Sequence, residues 1–157
     1  MNKKKKKIKI TPIESGTVID HVKSGHAMKV LKIIGVMDKQ MNSIVSIAMN
    51  VNSSYGKKDI VKVENMELES DELDKISLIS PRATVNIIRD FEVIKKHQVK
   101  LPEKVKGIVK CINNTCITNQ NEPIESEFDV VGEDPVTLKC VYCEREMKGE
   151  EISENVI

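Results

Sequence analysis

Apolar positions recur along the chain in two alternating rhythms, and each rhythm predicts its own kind of element. From residue 8 to 22 the segments IKITPI and GTVIDHV follow the two-residue period of extended strand, interrupted by a turn at residues 14–16. Pro12 has no amide donor, which confines the first of these segments to a sheet edge or an irregular path. A helical period follows. Ala27, Val30, Leu31 and Ile34 share one face, Ser24 is the candidate N-cap, and Gly35 stands where a C-terminal cap belongs. Residues 43–51 and 59–65 read as two strands that flank the turn residues NSSYGKK and predict a hairpin. A second helix is expected to be capped at Ser70, with Asp71 and Glu72 in its electropositive first turn. Leu73, Ile76 and Ile79 face inward and Pro81 marks its exit. Residues 83–96 read as one last strand region, whose apolar phase slips between Ile88 and Phe91 and so predicts a bulge or bend around Arg89.

Strand, helix, strand, strand, helix, strand is the split βαβ order of a ferredoxin-like α+β sandwich, two helices covering one face of an antiparallel sheet and leaving the other for a partner. Lys100, Leu101, Pro102 and Glu103 then read as a linker or hinge. Beyond them ESEFDVV and PVTLK predict two strands of a small antiparallel sheet, separated by residues 132–135, and KGEEISENVI predicts a short exposed helix or a loose tail. The chain is therefore expected to divide into residues 1–100 and 101–157.

Composition adds a constraint on the second piece. Aromatic residues make up 3% of the chain and Trp is absent, so the core rests on Ile, Val, Leu and Met. About 55 residues of such sequence bury too little to be stable alone, and a metal would supply much of the folding energy. All four cysteines lie there: Cys111 and Cys116 in CINNTC, Cys140 and Cys143 in CVYC, two close pairs separated by 23 residues. That is the spacing of a four-thiolate structural zinc site, a rubredoxin-like zinc ribbon whose two knuckles deliver tetrahedral soft ligands.

Disulfides are the competing reading. Behind the MNKKKKK start there is no apolar stretch of signal-peptide length, about 7 to 15 residues, and no run of about 18 apolar residues that would span a membrane. The expectation is a soluble, cytoplasmic chain, where paired thiols bind metal. A thioredoxin-type site would need CVYC to open a helix, whereas it follows the strand-like PVTLK; an iron centre uses the same ligands.

Charge separates the two pieces. Residues 1–100 hold 19 Lys and Arg against 12 Asp and Glu, a net +7; residues 101–157 hold 6 against 12, a net −6. A zinc ribbon that binds nucleic acid must neutralise phosphates, and a module at −6 repels them. The acidic module reads as a protein-docking unit. The basic piece suits a small anion.

Phosphate-loop motifs are absent. Gly56–Lys57 resembles the end of a P-loop, but the position of its first glycine is Val51, and no GxGxxG occurs. His21, His26 and His97 are too scattered for a metal hydrolase, and four thiolates would close the shell of a zinc ion. What remains is a set of basic and polar residues on or beside the strands: Asp20, His21, Lys57, Lys58, Lys62, Lys95 and Lys96. Taken singly, each of these lysines reads as a solvated surface charge.

In these same residues the chain resembles the regulatory chain of aspartate carbamoyltransferase. The resemblance rests on GTVIDH, GKKDIVKVEN, SPRATVNIIRDFEVIKK, LPEKVKGIVKC and the knuckles CINNTC and LKCVYCE, in that order and over nearly the whole chain. It implies a non-catalytic subunit of pyrimidine synthesis with an N-terminal effector domain and a C-terminal zinc domain that docks on the catalytic chain. In that family CTP inhibits, ATP activates, and UTP acts with CTP in some members. Three regulatory homodimers, joined through their N-terminal domains, bridge two catalytic trimers. Carried over position by position, the resemblance lines the effector pocket with Ile10, Thr11, Val18, Asp20, Asn86, Ile88, Phe91 and Val93, and makes Lys62 and Lys96 its cations. Asp20 would accept from a ribose hydroxyl, backbone near Ile10 and Thr11 would read the base edge, and Val18 and Val93 would be apolar walls. His21 and Lys58 would be further contacts to sugar or phosphate. The N-terminal lysine run could fold over the ligand.

Overall fold

The computed structural model describes residues 12–36, 43–54 and 56–157. The lysine run and the expected edge segment as far as Thr11, with Ile10, lie outside the described residues; Pro12 and Ile13 at its end are in no strand. The chain enters its first sheet as β1 (Gly16–Lys23), crosses α1 (Ala27–Ile34), returns through the hairpin β2 (Val45–Ser53) and β3 (Gly56–Glu64), crosses α2 (Ser70–Ile79) and ends in β4 (Thr84–Arg89) and β5 (Glu92–Gln98). The strand order is β2-β3-β1-β4-β5, every neighbouring pair antiparallel. The first four strands have the ferredoxin-like order that the sequence predicts.

Alternation along each strand sends one set of side chains under the helices. Ile19, Val22, Val61, Val63 and Val85 meet Ala27, Val30, Leu31 and Ile34 of α1 and Ile76 and Ile79 of α2 in one buried cluster. The opposite face carries no helix among the described residues.

Several expectations need correction. Residues 83–96 are not one bent strand but the hairpin β4–β5, turning at Asp90 and Phe91, both at positive φ (51° and 64°). Ile88 pairs with Val93 and Ile87 with Lys95, so the phase slip in the sequence is that turn together with a one-residue bulge at Ile94. Ser24 does not cap α1. Its hydroxyl meets Asn50 Oδ1 at 3.1 Å, and the amides at the helix start are taken instead by Asp59 of β3. Helix α2 is capped one residue earlier than expected, by a capping box between Glu69 and Glu72. Gly35 does close α1, in the left-handed conformation, its amide donating to Leu31 and Lys32.

The second sheet has the order β6-β7-β8-β9, formed by Lys104–Lys106, Glu127–Glu133, Val136–Cys140 and Glu146–Lys148. Its core gathers Phe128, Leu138, Met147 and three of the cysteines, and it takes in Leu78 from α2. The C-terminal segment is a short helix over α3 (Glu150–Ser153) with Glu150 and Glu151 exposed, as expected, but it is not a loose tail. Ile152 is buried, Val156 pairs with Val109, and the Lys29 ammonium of α1 donates to Ser153 Oγ at 2.9 Å. Val156 packs against both cores.

Gly16 opens β1 with φ of 142°, and a Cβ there would lie 2.2 Å from the Val63 carbonyl oxygen and 2.9 Å from two further backbone atoms. No side chain can rotate away from such a clash. Gly16→Ala is expected to destabilise the fold by about 2 kcal/mol or more, measured by urea denaturation; a change under about 0.5 kcal/mol, the size of a neutral surface substitution, would contradict the close approach of β1 to β3.

Candidate functional site

The helix-free face of the first sheet brings most of the predicted effector residues together, because strand register decides which side chains share a row. Lys62 of β3 lies opposite Val18 of β1, Val18 opposite Asn86 of β4, and Asn86 opposite Lys96 of β5. Four of the residues carried over from the resemblance thus form one transverse row. Lys62 and Lys96 stand three strand spacings apart, about 14 Å between backbones, with an apolar and an amide side chain between them. One step along the same face, Gly16 lies opposite Ile88 and Ile88 opposite Val93. Gly16 leaves no gap in that row, because the β3 backbone at Val63 and Glu64 closes onto it.

One step in the other direction, Asp20 lies opposite Thr84. Here β1 bulges: the register shifts between Ile19 and Val22, and His21 takes a positive φ of 55°. The Asp20 carboxylate holds this bulge, accepting from its neighbour's amide (His21 N, 2.6 Å) and from the Lys58 ammonium at 2.8 Å. His21 Nδ1 lies 3.1 Å from Thr84 Oγ1. Burial works against charge on Asp20, but the hydrogen bond from Lys58, the His21 amide and the nearby positive charge outweigh it and hold the carboxyl below its ordinary value of 3.8.

Phe91 stands apart from these rows. It occupies the β4–β5 turn, two-thirds exposed, with its amide donating to the Glu14 carbonyl at 2.9 Å. The sequence reading passed over two polar residues of this region. Thr84 orients His21, and Asp59 is a carboxylate with no exposed surface. Parity could have found Asp59: if Lys58 and Lys62 share the open face, Asp59 between them must point under the helices.

The four cysteines converge at the far end of the chain. Their sulfurs all lie within 4.8 Å of one another, with Cys111 and Cys143 at 3.6 Å and Cys116 and Cys140 at 3.8 Å. A disulfide would bring two sulfurs to about 2.05 Å. A tetrahedron of thiolates about 2.3 Å from a central zinc has edges of about 3.8 Å. The distances therefore fit a four-coordinate metal ion and not a pair of bonds.

The knuckles are built for that geometry. The Asn119 side-chain amide donates to the carbonyls of Cys111 (2.9 Å) and Asn113 (2.8 Å), Thr118 Oγ1 donates to Cys116 Sγ at 3.2 Å, and the Glu144 amide closes the second turn on the Cys140 carbonyl at 2.9 Å. Burial pushes the Cys111 thiol up to about 12 and raises Cys140. Burial acts in the same sense on Cys143, but the Arg145 amide and the Asn113 side chain draw it down to about 7. Cys111 and Cys140, held against ionising, would need a cation at the centre of the cluster to become thiolates. Cys111, Cys116, Cys140 and Cys143 are the only such group of His, Cys, Asp and Glu among the described residues, and no helix there is long and apolar enough to cross a membrane.

Comparison with known proteins joins the two sites. A family model described as the aspartate carbamoyltransferase regulatory chain, allosteric domain, matches residues 8–100, and one described as the metal binding domain of the same chain matches residues 103–153. Proteins named aspartate carbamoyltransferase regulatory chain are similar over nearly their full length. That of Methanosarcina mazei is 50% identical over 157 residues, 99% of each chain. That of Methanothermobacter thermautotrophicus is 48% identical over 151 residues, 96% of each. That of Thermoplasma volcanium is 47% identical over 150 residues, 95% of this chain and 98% of its own.

Because its folded pKa is depressed, Asp20 contributes stability above the ordinary carboxyl value and loses it as pH falls through the folded one. Asp20→Asn should lower stability by on the order of 1 kcal/mol at pH 7, and the gap to the wild type should narrow in acid. Urea denaturation from pH 7 down to about pH 3 tests this; a gap that stays constant would contradict the Asp20–Lys58 pair.

Proposed function

The chain belongs to the family of aspartate carbamoyltransferase regulatory chains and is a non-catalytic subunit, and from that premise we propose that it binds a nucleoside triphosphate on the open face of its first sheet and docks through its cysteine module. In this reading residues 1–100 are the effector unit and residues 101–157 the docking unit. The effectors are CTP, ATP and UTP, and the metal is one structural zinc ion per chain. The partner is the catalytic chain of aspartate carbamoyltransferase, in a cytoplasmic complex of two catalytic trimers and three regulatory homodimers that serves pyrimidine synthesis.

The row Lys62, Val18, Asn86, Lys96 carries the effector reading. A nucleoside triphosphate is an extended ligand with a polyanionic end, a sugar and a flat apolar base. The row offers it cations at both ends, with an amide donor and acceptor and an apolar surface between. Lys58 and Asp20 lie within reach of the same face, and Asp20 can accept from a ribose hydroxyl as readily as from Lys58. Ile10, Thr11, Ile88, Phe91, Val93 and His21 would complete the pocket around base and sugar.

Zinc would supply the docking unit with four metal–thiolate bonds and nothing catalytic, since four protein ligands leave no open position. Its role is to fix two turns and the small sheet between them, so that an acidic surface keeps one shape for its partner. Allostery then requires the effector to bind two states of the complex unequally, a coupling of about 1 to 3 kcal/mol. Leu78 of α2 in the second core, Val156 against both cores, and the linker at Leu101 to Glu103 are the elements through which a shift of the first unit can reach the second.

Two variants separate the halves of this proposal. Lys62→Ala should weaken CTP and ATP binding by about tenfold, the loss expected of one charge-assisted contact, while leaving zinc content and assembly unchanged. Cys111→Ala should lose the zinc and release free catalytic trimers. Isothermal titration, elemental analysis and sedimentation of the chain mixed with catalytic trimers read all three properties. A Lys62→Ala protein with wild-type nucleotide affinity sinks the effector site, and a Cys111→Ala protein that assembles normally sinks the docking role.

A further inference from the structure

The row that defines the effector face depends on a residue that never reaches it. Beside β3, both neighbouring strands bulge at the same level. In β1 the register shifts between Ile19 and Val22, and in β2 it shifts between Ala48 and Val51, where Asn50 takes a positive φ of 61°. A bulge leaves ladder groups without their usual partners, and here the unpaired amides are buried or half-buried. Asp59, on β3 between the two bulges, answers them. Its Oδ1 accepts from Asn50 N at 2.8 Å, and its Oδ2 accepts from Gly25 N at 2.9 Å and from Ala27 N at 3.0 Å. One fully buried carboxylate therefore ties the β2 bulge to the connection between β1 and α1.

On the other face of the sheet, at the adjoining residue, Lys58 reaches Asp20 at 2.8 Å. The two carboxylates act in complement: Asp20 fixes the β1 bulge from the open face, and Asp59 fixes the β2 bulge and the helix start from beneath. Just beyond the two bulges, the backbone of Lys58 lies between Lys23 of β1 and Val51 of β2, and that of Asp59 lies opposite Val22. The Lys58 ammonium can be held over the open face only if both bulges are held.

We propose that Asp59 is a positioning residue of the nucleotide site, setting the place of the Lys58 ammonium and tying it to α1; this rests on the nucleotide reading given above. Helix α1 carries the tie onward, because Lys29 on it donates to Ser153 of the C-terminal segment. Occupancy at Lys58 thereby becomes a restraint on the amides of Gly25, Ala27 and Asn50, three positions that no nucleotide on the open face would touch.

A double-mutant cycle in the zinc-loaded full chain tests this, with CTP and ATP as probes. Lys58→Ala should weaken binding roughly tenfold, Asp59→Asn should weaken it by a similar factor, and the double variant should be little worse than either alone, because Asp59 acts through Lys58. A purely structural Asp59 would instead lower the melting temperature while leaving nucleotide affinity unchanged well below it. Affinity unchanged in Asp59→Asn, or losses that multiply in the double variant, would overturn the inference while leaving the nucleotide site standing. Wild-type affinity in Lys62→Ala would overturn the nucleotide reading itself, and this inference with it, whereas wild-type affinity in Lys58→Ala alone would overturn this inference only. Should Asp59→Asn fail to fold, amide exchange in the wild-type chain decides: saturating CTP should slow exchange at Gly25, Ala27 and Asn50 several-fold relative to α2, and unchanged exchange there overturns the proposal.

Discussion

A sheet covered by helices on one side only imposes a two-residue parity on every strand, and both the core and the candidate ligand face follow from it. Ile19, Val61, Val63 and Val85 are buried because α1 and α2 lie above them. Val18, Lys62, Asn86 and Lys96 fall in one row because they occupy the alternate positions. A one-residue slip in β3 would bury Lys58 and Lys62 and expose Val61 and Val63, so the hydrophobic core enforces the register that assembles the polar row. Parity is broken at the two bulges beside β3, each held by a carboxylate, and at the one-residue bulge in β5.

The second unit solves a different problem. Its sheet contains two strands of only three residues, and its core joins the cysteines to Phe128, Leu138, Met147, Ile152, Val105, Ile108, Val109 and Val136, with one residue, Leu78, contributed by α2. The side-chain amide of Asn119 and the hydroxyl of Thr118 organise the first knuckle, yet four sulfurs within 4.8 Å of one another are mutually repulsive as thiolates without a cation. Metal binding and folding are one event in such a module. Its net charge of −6 disfavours a polyanion as its partner.

Much of this was legible in the sequence, for identifiable reasons. Periods of two and of about 3.6 gave both helices and the ferredoxin-like order, and the cysteine spacing gave the convergence of the four sulfurs. The β4–β5 hairpin was misread because its turn uses Asp90 and Phe91, neither of them a glycine, so residues 83–96 present an unbroken strand composition; the phase slip at Ile88 was the only mark. The cap of α1 was misassigned to Ser24 because its true partner, Asp59, lies over thirty positions away on another element. Whether the C-terminal segment was a helix or a loose tail stayed open because its acidic composition hides a single fully buried residue, Ile152, and the pairing of Val156 with Val109 is a tertiary event. Local pattern fixes local structure; contacts made across the chain had to be seen.

What unites the two units is the claim that a ligand on the first sheet is felt by a partner bound to the second. Reconstituting the zinc-loaded chain with catalytic trimers and following aspartate saturation with and without saturating CTP and ATP tests that claim most directly. The account predicts that each nucleotide shifts the half-saturating aspartate concentration in the assembled complex and has no such effect on free catalytic trimers. Identical saturation curves with and without nucleotide, in a complex shown to be assembled, would contradict it.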